Sequence, residues 1–247
     1  GGPVPGISVY HGIARIKKVR EEVLPDLSVD WGFNCPADLH RLGGGAHQYF
    51  LEHSLNAYHG LLRWYKKIRS RSPKHRAVIR NQAEMLRRPD AFFLANSRFA
   101  ADQVVAAGAR PEAVGVLHNG VETGMFRPAK GKTEAGRLRE RWGLEASDVA
   151  VLFIAHNVLL KNFALLRDVF EEIGSRSPRM KLIVVGKRKP SFMPPNSVYA
   201  GELSDMVNCY QAADCLAHPT FFDSCANVVF EAMSTGLPVV ASNVCGA

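Results

Sequence analysis

The amino-acid sequence predicts an α/β fold built on parallel sheets, and three observations lead to that prediction. The chain has 247 residues, of which 47% are hydrophobic, and this is enough for more than one core. Short apolar segments without polar alternation recur along it, and amphipathic segments with helix-capping residues separate them. Strands that are apolar on both faces are typical of parallel sheets covered by helices on both sides.

Two basic helices are predicted in the first half of the chain. Between residues 51 and 71 the apolar side chains recur every three to four positions, which indicates an amphipathic helix. Pro73 interrupts this pattern, and residues 74–86 form a second predicted helix. Much of the net charge of +8 lies here, which predicts a polyanionic partner such as a phosphate group, a nucleic acid or an anionic membrane surface. A solvated helix face is the alternative.

The same half contains one clear strand–helix unit. Residues 91–95 form an apolar strand, Asn96 and Ser97 cap the following helix, and Gly108 ends it. A further short strand is predicted at residues 114–117. Residues 122–148 are charged and rich in turn residues, so we predict a first domain at 1–120, a linker at 121–148 and a second domain at 149–247.

The second domain has a regular pattern of strands and helices. An alternation of this kind predicts a doubly wound α/β domain, in which ligands bind outside the carboxyl ends of the strands. The predicted strands are 149–155, 181–185, 197–200, 215–218 and 238–242, and the predicted helices are 163–175, 204–212 and 226–235.

The loop after the first of these strands contains Lys161, just before a helix. A cation there is poorly placed for helix stability but well placed to bind a phosphate together with the helix N-terminus. An ordinary exposed lysine fits the pattern equally well.

The loop and helix that follow residues 215–218 are the more specific feature. Asp223 and Ser224 are predicted to accept hydrogen bonds from the first helical amides, and residues 226–228 to form a first turn suited to a diphosphate. Glu231 lies one turn further along, where its carboxylate could accept hydrogen bonds from ribose hydroxyls. A solvated helix glutamate is the alternative.

Other kinds of site find no support in the sequence. There is no Walker A motif, G-x-G-x-x-G, zincin motif or nucleophile elbow, and no D-x-D pair for a metal–diphosphate clamp. The five cysteines contain no C-x-x-C pair, so we expect neither a zinc site nor a disulfide framework, and a cytoplasmic location. The apolar runs fall short of a membrane span, and residues 1–12 contain no readable signal peptide.

These motifs resemble those of family 4 retaining glycosyltransferases, which have two Rossmann-like domains. Asp223-x7-Glu231 and the following Ala-Met-Ser-Thr-Gly-Leu-Pro-Val-Val resemble the family's E-x7-E signature and its E-A-M-x-x-G-x-P-V-V run. Residues 119–128 resemble its crossover into the second domain, and residues 181–186 its L-x-I-V-G strand. Residues 38–47, followed by basic helices, resemble the lipopolysaccharide-core branch of glucosyltransferase I.

The resemblance implies a role for each matching position. Glu231 would hold the donor ribose, and Asp223 would face the donor sugar. Lys161, with Ala226, Asn227 and Val228, would bind the diphosphate and stabilise its charge. We expect Lys161, Asp223 and His47 as catalytic residues and His156 as a second phosphate ligand.

The chain departs from the family pattern at several of these positions. Asp223 is one methylene shorter than the family's Glu, which puts its contact with the sugar in question. Asn162 replaces the glycine of the family's Lys-Gly pair, and Cys225-Ala226 replaces Phe-Gly.

The resemblance implies metal-independent transfer of a hexose from a nucleotide sugar, with a UDP-sugar as the expected donor, to a cell-envelope saccharide or lipid-linked acceptor. It implies a cytoplasmic enzyme, peripheral at an anionic membrane surface, that binds no nucleic acid. A basic nucleic-acid-binding module and a nucleotide-sugar epimerase remain the alternatives. Family members are longer, so we expect a first domain incomplete at its N-terminus, a second truncated at its C-terminus, and little turnover from this chain alone.

Overall fold

The computed structural model describes residues 15–16, 18–19, 21–129, 134–154, 156–174 and 176–247. The chain divides into two compact units, and the division falls between His118 and Asn119. Unit 1 precedes this point, and unit 2 is Asn119–Cys245. Each unit contains a parallel sheet with helices, so the predicted fold class is confirmed.

The sheet of unit 1 has the strand order β1-β2-β3-β4, and all neighbouring strands are parallel. The strands are β1 (Val29–Asp30), β2 (Leu39–Leu42), β3 (Phe92–Ala95) and β4 (Val114–Val116). The third and fourth were predicted from their apolar runs. The first two were missed, because β1 has only two residues and β2 interleaves His and Arg with its two leucines.

The helices of unit 1 are α1 (His47–Ser54), α2 (Gly60–Ser70), α3 (Pro73–Leu86) and α4 (Arg98–Ala106). The cap predicted for α4 is confirmed, since Ser97 Oγ accepts a hydrogen bond of 3.0 Å from the Ala100 amide. The single helix predicted at residues 51–71 is wrong. A 3-10 turn and an extended residue, Tyr58, separate α1 from α2, and Gly60 starts α2 with a φ of +52°, in the left-handed region.

The sheet of unit 2 has the strand order β7-β6-β5-β8-β9 and is parallel throughout. The strands are β5 (Val149–Ile154), β6 (Met180–Val185), β7 (Ser197–Gly201), β8 (Cys215–His218) and β9 (Val239–Ala241). Ala155, the predicted end of the first strand, lies outside the described residues. Strands β6 and β7 lie on one side of β5, and β8 and β9 lie on the other. The direction of chain progression thus reverses between β5 and β8, and open α/β sheets bind ligands at the carboxyl ends of the two strands at such a point.

Helices cover both faces of this sheet. They are α5 (Glu134–Arg141), α6 (Phe163–Ile173), α7 (Met206–Ala212) and α8 (Asn227–Ser234). Val151 and Phe153 of β5 pack with α6 on one side, and Ala150 and Leu152 belong to the core shared with the other three helices. Successive residues of β5 thus point into two different cores, which explains why the strand is apolar throughout and does not alternate between apolar and polar residues.

The stretch predicted as a linker contributes to the core of unit 2. Leu138 of α5 and Trp142 after it are buried there, and Phe126 packs against the same core. The Arg139 guanidinium donates hydrogen bonds to the backbone oxygens of Ala212 and Asp148. Residues 134–148 therefore pack into unit 2, although their charge and turn residues predicted an interdomain linker.

Candidate functional site

Two loops at the carboxyl ends of β5 and β8 are tied together by hydrogen bonds. The backbone oxygen of Leu160, in the loop after β5, accepts hydrogen bonds from the Phe221 amide at 3.0 Å and from Thr220 Oγ1 at 3.2 Å, both in the loop after β8. Ser242 Oγ, just after β9, donates to the Thr220 backbone oxygen at 2.7 Å. These bonds fix the residue next to Leu160, which is Lys161, relative to the loop that holds Asp223.

The backbone after Lys161 adopts the conformation that a glycine would favour. Asn162 has a φ of +58° and a ψ of +47° at the N-cap of α6. Asparagine enters this left-handed region more readily than most residues. The Lys-Asn pair therefore adopts a backbone conformation that a Lys-Gly pair would also allow.

The Lys161 ammonium forms an ion pair with the Asp223 carboxylate. The two side chains are only 23% and 18% exposed. Nε2 of His218, the last residue of β8, lies 3.4 Å from Asp223 Oδ2. Burial would raise the pKa of Asp223, but the close contact with His218 and the charge of Lys161 outweigh it and lower this pKa to about 2. Asp223 is therefore ionised at neutral pH.

His218 is a site residue that the sequence analysis missed. Its side chain is only 1% exposed, at the end of a buried strand. A histidine at the end of a predicted strand, five residues before a loop aspartate, was the available signal, but nothing in the spacing showed that the chain turns back to bring them together.

Helix α8 begins one residue later than predicted. Its N-cap is Ala226, which has no side-chain oxygen to accept a hydrogen bond, and Asp223 Oδ1 instead accepts from the Cys225 amide at 3.2 Å. The amides of Asn227 and Val228 lie in the first turn, where no preceding helical carbonyl can pair with them. This end of the helix thus offers N–H groups to an anion.

Glu231 lies one turn further along α8 and is half-buried. Its Oε2 accepts a hydrogen bond of 2.6 Å from the hydroxyl of Tyr210, a fully buried residue of α7. The carboxylate is therefore held by the protein core, which argues against the alternative of an ordinary solvated glutamate.

Residues 148–247 match the family model described as glycosyl transferases group 1. This part of the chain is therefore similar to group 1 glycosyltransferases. The resemblance found from the Asp223-x7-Glu231 pattern is thereby confirmed.

Curated relatives and solved structures agree with this family. A D-inositol 3-phosphate glycosyltransferase of Segniliparus rotundus is 28% identical over 99% of the chain and 62% of its own length. One from Streptomyces bingchenggensis is 30% identical over 62% of the chain and 38% of its own length. The chain thus spans less than two thirds of these relatives.

Two solved structures show the fold. WaaG, a glycosyltransferase involved in lipopolysaccharide biosynthesis, superposes with a TM-score of 0.71 at 17% identity, covering 100% of this chain and 71% of WaaG. Anabaena Alr3699/HepE, in complex with UDP-glucose, gives 0.62 at 18% identity over 95% of this chain and 64% of that protein. The two-domain glycosyltransferase fold, termed GT-B, is confirmed.

The remaining predicted site residues are His156 in unit 2 and His47 in unit 1. His156 follows β5 and is exposed. His47 belongs to unit 1, where its Nε2 lies 2.9 Å from His75 Nδ1. Burial, then the charges of His75 and Lys74, lower the pKa of His47, which favours the neutral ring at physiological pH.

Two further features concern metals and membranes. In the part of the chain that the structure describes, no three His, Cys, Asp or Glu side chains converge as metal ligands. Within the same residues, none of the helices has the length and apolar character needed to cross a bilayer.

Proposed function

We propose that this chain binds a nucleoside diphosphate sugar and belongs to an enzyme that transfers its hexose, with retention of configuration, to a cell-envelope saccharide or lipid-linked acceptor. One observation carries the proposal: both acids of the Asp223-x7-Glu231 pair are held by protein partners in a domain similar to group 1 glycosyltransferases, Asp223 by Lys161 and Glu231 by Tyr210. The family match favours sugar transfer over nucleic-acid binding and over epimerisation.

Each group has a distinct task in this proposal. Glu231 accepts hydrogen bonds from the ribose hydroxyls, and the amides of Asn227 and Val228 bind the diphosphate. The Lys161 ammonium has three N–H donors, so that its pairing with Asp223 leaves two for phosphate oxygens. Asp223, an acceptor at neutral pH, faces the sugar hydroxyls.

In the proposed reaction, the main catalytic task is to stabilise the diphosphate leaving group. As the bond between the anomeric carbon and the diphosphate oxygen breaks, negative charge accumulates on the diphosphate. Lys161 and the N-terminus of α8 stabilise this charge. The acceptor hydroxyl attacks from the same face, and its proton passes to the departing diphosphate. We propose a UDP-sugar as donor, a choice supported by the complex of Anabaena Alr3699/HepE with UDP-glucose.

Replacement of Glu231 tests the nucleotide site. We expect Glu231→Ala to weaken binding of UDP about tenfold, because hydrogen bonds from ribose to a charged acceptor are lost. Isothermal titration calorimetry with UDP, GDP and ADP measures this and also identifies the base. Glu172→Ala, an exposed glutamate of α6, is the matched control and should bind like the wild type. An unchanged affinity in Glu231→Ala would exclude the ribose role.

We further propose that helix α2 docks unit 1 on an anionic lipid surface on the cytoplasmic side. None of the residues of α2 is buried, and Leu61 and Trp64 are 86% and 63% exposed. The helix also contains four cations, Arg63, Lys66, Lys67 and Arg69, and no acid. Exposed aromatic and aliphatic side chains beside cations suit the interface of an anionic bilayer.

Vesicle binding checks this surface. We expect the chain to co-sediment with phosphatidylcholine vesicles that contain phosphatidylglycerol and not with pure phosphatidylcholine. Changing both Lys66 and Lys67 to Gln should weaken binding about thirtyfold, since each cation near such a surface contributes about 1 kcal/mol. Changing the exposed Lys187 and Lys189 of unit 2 to Gln is the matched control. Equal binding by all variants, or no binding to either vesicle, would contradict this role for α2.

A further inference from the structure

Tyr210 brings a hydroxyl group into the core of unit 2. Its side chain is 0% exposed, and its ring packs edge to face with Phe126 at a centroid distance of 6.0 Å. Burying a hydroxyl in such surroundings costs free energy unless it forms a hydrogen bond. The Tyr210 hydroxyl donates one to the Glu231 carboxylate.

The bond between them has the geometry of a charge-assisted hydrogen bond. The oxygen atoms are 2.6 Å apart, within the range that is typical of a hydroxyl donating to an ionised carboxylate. Burial, and then the contact with Glu231, raise the pKa of Tyr210 far above its usual range, so the phenol stays protonated and acts as the donor.

This contact limits the positions that the Glu231 side chain can take. A free glutamate on a helix samples many rotamers, and fixing it in one of them costs side-chain entropy. In this protein the Glu231 side chain is ordered when the chain folds, before any ligand binds, because its partner Tyr210 is fixed in the core. A carboxylate has about four acceptor sites, so one hydrogen bond from Tyr210 leaves room for two vicinal hydroxyls.

We propose that Tyr210 is a positioning residue, which orients Glu231 for the ribose of the donor nucleotide. The inference rests on the proposed function, because it takes ribose as the ligand of Glu231. Tyr210 itself touches no ligand in this proposal, and its whole effect on binding passes through the carboxylate. Preorganisation of this kind raises affinity by reducing the ordering that the ligand must impose.

The test compares UDP with 2′-deoxy-UDP in the full chain. Wild type should bind UDP more tightly, and Tyr210→Phe should lower this preference about fivefold, while the phenyl ring keeps its packing with Phe126. Tyr199→Phe is the matched control, since it removes another tyrosine hydroxyl of unit 2, one that donates to the Gly186 backbone oxygen at 2.7 Å. It should leave the preference unchanged.

A second comparison separates positioning from general stability. In a Glu231→Ala background, Tyr210→Phe should have no further effect on the preference for UDP, since the carboxylate through which it acts is gone. An unchanged preference in Tyr210→Phe, or the same loss in both backgrounds, would overturn the inference. A wild type that binds no UDP, or does not distinguish the two nucleotides, would instead overturn the proposed function, so the two failures are distinguishable.

Discussion

Lys161→Met is expected to lower the affinity of the chain for UDP about 100-fold. Lys161 lies in the loop at the carboxyl end of β5, paired with Asp223 of the loop before α8, and only 23% of its side chain is exposed. Removing one partner from a desolvated, hydrogen-bonded charge pair costs about 2 to 5 kcal/mol in binding. Methionine keeps most of the length and the apolar character of the lysine stem, so the change removes mainly the charge.

The ligand series makes this result specific to the diphosphate. Calorimetric titration should show a large loss for UDP, a smaller one for UMP, and no change for uridine, which has no phosphate for Lys161 to bind. Lys187→Met, an exposed lysine after β6, is the control for loss of one positive charge from unit 2. An equal loss for uridine and UDP would show that Lys161 acts through the fold and not through phosphate.

The parallel sheet of unit 2 could be predicted almost residue by residue. Strands such as Val149–Ile154 point into two cores, and the resulting apolar runs are visible in the sequence without any knowledge of tertiary contacts. The residue pattern also located Lys161 and Asp223, because ligand sites of open α/β sheets follow the carboxyl ends of strands.

What the sequence could not provide were pairings between distant residues. Tyr210 and Glu231 are 21 positions apart, and Lys161 and Asp223 are 62 apart, so no local spacing relates them. Helix α2 has the periodicity of a packed helix, yet no residue of it is buried. Periodicity shows that a helix has an apolar face, and only tertiary structure shows what that face contacts.

Asp223→Asn is expected to destabilise unit 2 by about 2 kcal/mol at neutral pH and to remove an acid-dependent part of its stability. The pKa of Asp223 is lowered to about 2, against a usual unfolded value of about 3.9. A carboxyl group whose pKa is lower in the folded state stabilises it above the unfolded pKa, and this contribution disappears as the pH falls from about 4 to about 2. The difference in unfolding free energy between wild type and Asp223→Asn should therefore be constant above about pH 5 and shrink below pH 4.

Tryptophan fluorescence can report the unfolding of unit 2 separately from that of unit 1 in this experiment. Trp142 is 6% exposed in the core of unit 2, and the other two tryptophans, Trp31 and Trp64, are exposed residues of unit 1 that can both be changed to Phe. Asp168→Asn, which breaks a surface pair with Arg167, is the matched control and should cost less than about 1 kcal/mol. Urea titrations from pH 7 down to pH 2 would contradict the assignment if Asp223→Asn lost no more stability than this control. A constant difference across the acid range would likewise mean that the carboxylate of Asp223 is not stabilised by Lys161 and His218.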